Sequence, residues 1–280
     1  MGTYQYYEFR AMDCPLTKEQ REEVASFSSR AKVTSHQAIF PYLYQGFRGD
    51  EEELMETHFD MMLCMSNWGT RRVMFRLPSS LININQVESF SVSEEIGCWL
   101  SKDKQYTILD LNFENEDEYG YEIEEEGLLN KLIDLREELI NGDFRLLYLA
   151  WLKASEKALE MGYADEETLE PFVPAGLKNL SDAQKAYIEL VTIDKALIAV
   201  ASKHSKEQTD EVFDVEQLIE TISEEKKYEF LLRLSRGEQN LSTIFNRYLR
   251  ESATQNQSQD EKEQIERRSI VSLVENAEKR

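Results

Sequence analysis

The chain has 280 residues, of which 54 are Asp or Glu and 32 are Lys or Arg, so its formal charge is −22. That excess disfavours direct nucleic-acid binding and attachment to anionic membranes, both of which draw affinity from clustered basic groups, and it favours a protein partner with a basic surface. Apolar residues make up 41% of the chain, enough for a real core, yet no stretch reaches the ~18 apolar residues a membrane helix requires.

The opening MGTYQYYEFRAMDC has no apolar run behind a basic region, so a cytoplasmic protein is expected. YQYYEFRAM is aromatic and extended. Thr17 and Gln20 then stand at capping-box spacing and start a helix at about residue 18. AIFPYLYQGF reads as a second extended segment, and Asp50 is placed to cap a short acidic helix through EEELMETHF. MMLCMSN and RRVMFRLP flank the turn residues Asn67 to Thr70, and EIGCWLS and QYTILDLNF flank Lys102 to Lys104, which predicts two antiparallel hairpins.

Residues 114 to 126, ENEDEYGYEIEEE, carry eight acids and no base, more than a third of the net charge. A like-charged run of this kind is expected to be an extended connector. Beyond it the apolar period changes from two to 3.6. Leu128, Leu132, Leu135 and Leu139 make one helical stripe, Asn141-Gly142 stops it, and Asp143 is placed to cap the next helix. Ser181 and Gln184 form a second capping-box pair, and further helices are expected at about 215 to 236 and 238 to 250. The expected fold is therefore α+β. An N-terminal mixed α/β domain with antiparallel hairpins (1–113) is followed by the connector (114–126), an all-helical domain (127–250) and a flexible tail with a weak amphipathic helix (251–280). Whether the two halves share one core, and the oligomeric state, stay open.

The segments YQYYEFRAMDCPLT, GFRGDEEELMETHFD, NWGTRRVMFRLP, GDFRLLYLAWL and EPFVPAGLKNLSDAQ together resemble a family of bacterial hypothetical proteins, in order from about residue 4 to residue 250. The resemblance implies a bacterial, intracellular protein and carries no activity, cofactor or catalytic residue with it.

Glu56, His58 and Asp60 alternate and would share one face of an extended segment, a donor set suited to a divalent transition metal. The same stretch also reads as helix into strand, where the three diverge, so no metal is expected and they stand as the alternative. There is no CxxC pair, GxSxG elbow, Walker A loop or GxGxxG, and no cofactor is expected. Arg72 and Arg76 fall on one face of a strand near Trp68 at the turn, and two guanidiniums beside an aromatic would make a forked anchor for a carboxylate or phosphate. The competing reading pairs them with the chain's own carboxylates. In the acidic run, Tyr119 and Tyr121 are interleaved with acids including Glu124, Glu125 and Glu126, a pattern that would dock on a basic groove through aromatic anchors. The expected function is an acidic protein-protein interaction module: an adaptor, inhibitor, assembly subunit or nucleic-acid mimic. The alternative is a hydrolase using carboxylates and a divalent metal.

Overall fold

A computed structural model describes residues 4–43, 46–115, 127–207, 215–238, 240–257 and 267–279. The N-terminal elements are β1 (Tyr4–Arg10), α1 (Lys18–Ser26), β2 (Lys32–Val33), β3 (Gln37–Leu43), α2 (Glu51–Thr57), β4 (Met61–Ser66), β5 (Thr70–Pro78), α3 (Ile84–Glu88), β6 (Ile96–Leu100) and β7 (Tyr106–Glu114). Their local signals act as expected. Thr17 and Gln20 close a reciprocal capping box at α1, and the Asp50 side chain accepts the Glu53 amide at α2. Both hairpins form, β4 with β5 and β6 with β7.

All pairings are antiparallel, in one seven-stranded sheet of order β2-β3-β1-β4-β5-β7-β6. Pro41 lies in β3 opposite Tyr6, and β2 pairs only with Ala38 and Ile39. The stretch around Pro41 is thus an edge, where a residue without an N–H is tolerated.

The period-two alternation gives the sheet two apolar faces. Phe9, Phe40, Met62, Cys64 and Met74 pack with Val24 of α1 and with Leu54 and Met55 of α2. On the opposite face, Met61, Leu63, Val73, Phe75 and Leu77 enter a larger core with the C-terminal helices. These are α4 (Leu128–Leu132), α5 (Asp134–Ile140), α6 (Arg145–Glu160), α7 (Asp182–Val191), α8 (Lys195–Ala201), α9 (Val215–Thr221), α10 (Glu224–Ser235), α11 (Leu241–Gln257) and α12 (Ile270–Glu278). The result is an α+β architecture. The change of period near residue 113 marks a change of secondary structure and not a break in the core. Leu109 and Phe113 of β7 belong to the same apolar cluster as Leu132, Leu147 and Leu197.

The leucine stripe expected as one helix breaks at Ile133 into α4 and α5, with Leu129, Leu132, Leu135 and Leu139 buried. Gly142 stops α5 at φ +84, its N–H on the Leu139 carbonyl and that of Asp143 on the Glu138 carbonyl, the paired bonds of a Schellman end. Asp143 sits one residue before the N-cap of α6. Its Oδ1 still accepts the Arg145 amide at 3.0 Å.

Part of the region expected as a flexible tail is corrected. α11 runs through residue 257, and Ile270, Leu273 and Ala277 of α12 are buried in the large core. A one-pair bridge between Leu169 and Ser269 leads into α12, and Glu170, 3% exposed, receives Arg268 Nε and Nη2 at 2.8 and 2.7 Å. The apolar side chains at 270, 273 and 277 gain a core only by docking, which is why the weak sequence pattern becomes a packed helix. No helix among the described residues is long and apolar enough to cross a membrane.

Candidate functional site

The β4–β5 hairpin places Arg72 and Arg76 on one face of β5, as the alternation requires, and provides each with a carboxylate of this chain. Arg72 Nε and Nη2 donate to the two oxygens of Asp110 at 2.8 Å each, a bidentate fork. Burial alone would lower the Arg72 pKa, but the hydrogen bonds and charge of Asp110 outweigh it and hold the group above its ordinary value. Arg76 Nε and Nη2 donate to Asp60 Oδ1 at 3.1 and 2.8 Å, and its guanidinium lies 4.7 Å from the centre of the Tyr106 ring. Trp68 is half-buried at the turn. Both forks thus serve the interior of the sheet and its α1–α2 face.

Glu56, His58 and Asp60 diverge, because α2 ends at Thr57 before β4 begins. Glu56 accepts from Trp99 Nε1 at 3.2 Å, His58 Nδ1 meets Thr57 Oγ1 at 2.5 Å, and Asp60 Oδ2 accepts the Met12 and Asp13 amides at 2.6 and 3.0 Å. Among the described residues no three His, Cys, Asp or Glu side chains gather as a metal site. The three cysteines are free thiols. Cys64 is a core side chain packed under α1 and α2, and burial pushes its thiol up to about 12. Tyr119, Tyr121, Glu124, Glu125 and Glu126 lie outside the described residues.

The fold assembles a site that was not among the expected ones. A groove of about 690 Å³ opens between α5, the start of α6, the loop at 172–175 and α11. Asp134, Glu137, Glu138 and Asp143 line it, together with Phe172 and Arg247. Phe172 is 70% exposed, an unusual position for a phenyl ring. Some of the carboxylates are held in place: Asp143 by the Arg145 guanidinium, Glu138 by Gln184 Nε2 at 2.7 Å and Glu137 by Asn141 Nδ2 at 2.9 Å. Arg247 Nη1 donates to the Leu81 carbonyl and so ties α11 to the end of the sheet. One sequence signal for this site existed. Asp134, Glu137, Glu138 and Asn141 form the polar face opposite the leucine stripe of α5, but nothing local announces that Phe172 and Arg247 join them.

Compared with protein-family models, with curated proteins and with solved structures, the chain has no match.

Proposed function

We propose that the protein is an acidic protein-protein interaction module, an adaptor, inhibitor or assembly subunit, that docks a basic segment of a partner in the groove between α5 and α11. The observation that carries this reading is the exposed Phe172 ring beside Asp134, Glu137, Glu138 and Asp143 in one groove of about 690 Å³. An apolar anchor covered on binding supplies affinity, while carboxylates around it steer and orient a cationic segment. The charge of −22 acts in the same direction at longer range. Mimicry of a nucleic acid is one form such docking takes, with carboxylates standing where a basic partner expects phosphates. The acidic run with Tyr119, Tyr121 and Glu124 to Glu126 extends the same proposal.

Fluorescently labelled peptides that combine Lys or Arg with one aromatic or aliphatic anchor test the reading by stopped-flow. The association rate with a basic peptide is expected to fall steeply as salt shortens the Debye length to about 8 Å at physiological strength. Phe172→Ala should mainly raise the dissociation rate, and Glu137→Gln with Asp134→Asn should mainly lower the association rate. Equal binding of acidic and basic peptides, at rates independent of salt, would overturn the proposal.

A further inference from the structure

On α10, Lys226, Phe230 and Arg233 stand at i, i+4 and i+7, and on α11, Ile244, Arg247 and Tyr248 stand at i, i+3 and i+4, so each trio occupies one face of its helix. With the segment 79–86, which leaves β5 and starts α3, the two faces line a pocket of about 350 Å³. The cationic heads gather at it. Lys226 Nζ lies 5.7 and 5.6 Å from the centres of the Phe230 and Tyr248 rings, the Arg233 guanidinium lies 5.2 Å from that of Phe230, and Arg247 Nη1 donates to the Leu81 carbonyl. Phe230, Tyr248 and Leu81 all belong to the lining.

Among the described residues no carboxylate lines this pocket, although the chain has 54 acids against 32 bases. Two exposed acids reach the cations from outside it. Glu229 meets Lys226 Nζ at 2.5 Å and lies 3.6 Å from Arg233 Nη1, and Glu238 receives Arg233 Nε and Nη2 at 2.7 and 2.5 Å. Three cations against two carboxylates leave positive charge in excess. The side-chain amides of the α3 wall add donors. Asn83 Oδ1 accepts the Asn85 amide at 2.9 Å and Gln86 Oε1 accepts the Asn83 amide at 3.1 Å, so what these side chains have left to offer is Nδ2 and Nε2.

We infer that this pocket binds a small organic phosphate, its phosphate oxygens among Lys226, Arg233 and Arg247 and its organic part against Ile244 and Tyr248. A carboxylate is matched by one guanidinium fork, and the Arg233 fork already holds Glu238. A phosphate monoester carries about two charges and three acceptor oxygens in different directions, and so accepts single hydrogen bonds from cations on separate sides. The volume lies at the small end of the range of about 300–1,000 Å³ for ligand pockets. A nucleic acid would meet the charge of −22 along its length, whereas one phosphate feels mainly the cations within a Debye length of about 8 Å. The pocket shares Gln86 and Arg247 with the groove at Phe172, but its ligand has the opposite charge and it does not depend on the docking reading.

The full chain would be titrated by calorimetry, and by NMR of the α10 and α11 amides, with phenyl phosphate, inorganic phosphate, phenol and a phosphoserine peptide. Phenyl phosphate is expected to saturate one site and to bind at least about tenfold more tightly than inorganic phosphate, because its ring covers apolar surface. Phenol should not saturate. Lys226→Gln and Arg233→Gln should each weaken phenyl phosphate at least about tenfold; both side chains are half-buried on a helix surface, so the variants should keep the circular dichroism of the parent. Lys18→Gln removes an exposed cation on α1, at the other face of the sheet, and should leave binding unchanged. No saturable binding of phenyl phosphate overturns the inference, as does equal affinity for phenol. Binding that Lys18→Gln weakens as much as Lys226→Gln and Arg233→Gln do also overturns it, since the pull would then be net charge and not this pocket. Saturation by the phosphoserine peptide alone would place a partner's phosphorylated side chain there and overturn the small-molecule assignment.

Discussion

Asp60 and Arg76 stand sixteen residues apart in the chain and form a buried ion pair, with Arg76 Nε and Nη2 on Asp60 Oδ1 and the two backbone amides of Met12 and Asp13 on Oδ2. Asp60 is fully buried, and Arg136 Nη2 approaches its Oδ1 at 3.5 Å while Arg136 Nε donates to the Arg76 carbonyl at 2.9 Å. One carboxylate thus joins the end of β1, the start of β4, β5 and α5.

Removing one member of a buried pair leaves a charge without compensation, which costs about 3–5 kcal/mol. Asp60→Ala should reach that range in urea unfolding, because two backbone amides lose their acceptor along with Arg76. Arg76→Met should cost less, since Asp60 keeps both amides and Arg136. The reverse order, or a loss below about 1 kcal/mol for Asp60→Ala, would show that the carboxylate does not join these elements.

Gly69 offers a sharper test of the β4–β5 turn. Its φ is +107, and a Cβ there would lie 2.2 Å from the Asn115 carbonyl oxygen, which is backbone and cannot swing aside. Gly69→Ala should therefore destabilise by more than about 1 kcal/mol, with NMR shifts concentrated at Asn115 and Thr192. A neutral substitution would mean that the turn and the end of β7 separate easily.

The continuous core predicts that the sheet and the helices fold together. Fragments 1–115 and 127–280, expressed separately, should be unfolded by circular dichroism and amide exchange. Co-expressed, they should copurify as one folded complex. In the intact chain, Leu273→Ala on α12 should cost about 2–5 kcal/mol as a cavity in that same core. An independently folded, soluble fragment 127–280 would contradict the shared core.

These tests concern the features that were hardest to read from the sequence. The hairpins were legible because Asn67 to Thr70 and Lys102 to Lys104 interrupt runs of strand-forming residues, and the helix starts were legible because Thr17, Asp50 and Ser181 act on amides within three residues of themselves. What pairs with a guanidinium is a different kind of question. Arg72 and Arg76 were placed on the right face, but Asp110 and Asp60 are 38 and 16 residues away, and no spacing selects them from 54 acids. The groove draws Glu137, Phe172 and Arg247 from three separate elements, so it exists only after the core has formed.

Glu95 and Glu156 should give opposite pH signatures although both line one hollow against α6. Burial would raise the Glu95 pKa, but its hydrogen bond to Lys157 outweighs that and holds it below its ordinary value of 4.5. A lowered carboxylate contributes stability above its unfolded pKa, and the contribution is lost as pH falls through the folded value. Glu95→Gln should thus lower stability at neutral pH, and the difference from the parent should shrink in acid. Glu156 is raised by burial, so its protonated form is favoured by folding, and that advantage is lost as pH rises through the raised value. Glu156→Gln should therefore stabilise the protein at neutral pH, with the gain vanishing below about pH 4. Urea unfolding of the two variants and the parent from about pH 2 to pH 8 measures both differences. Parallel curves for the two variants would show that the hollow imposes no such asymmetry on its carboxylates.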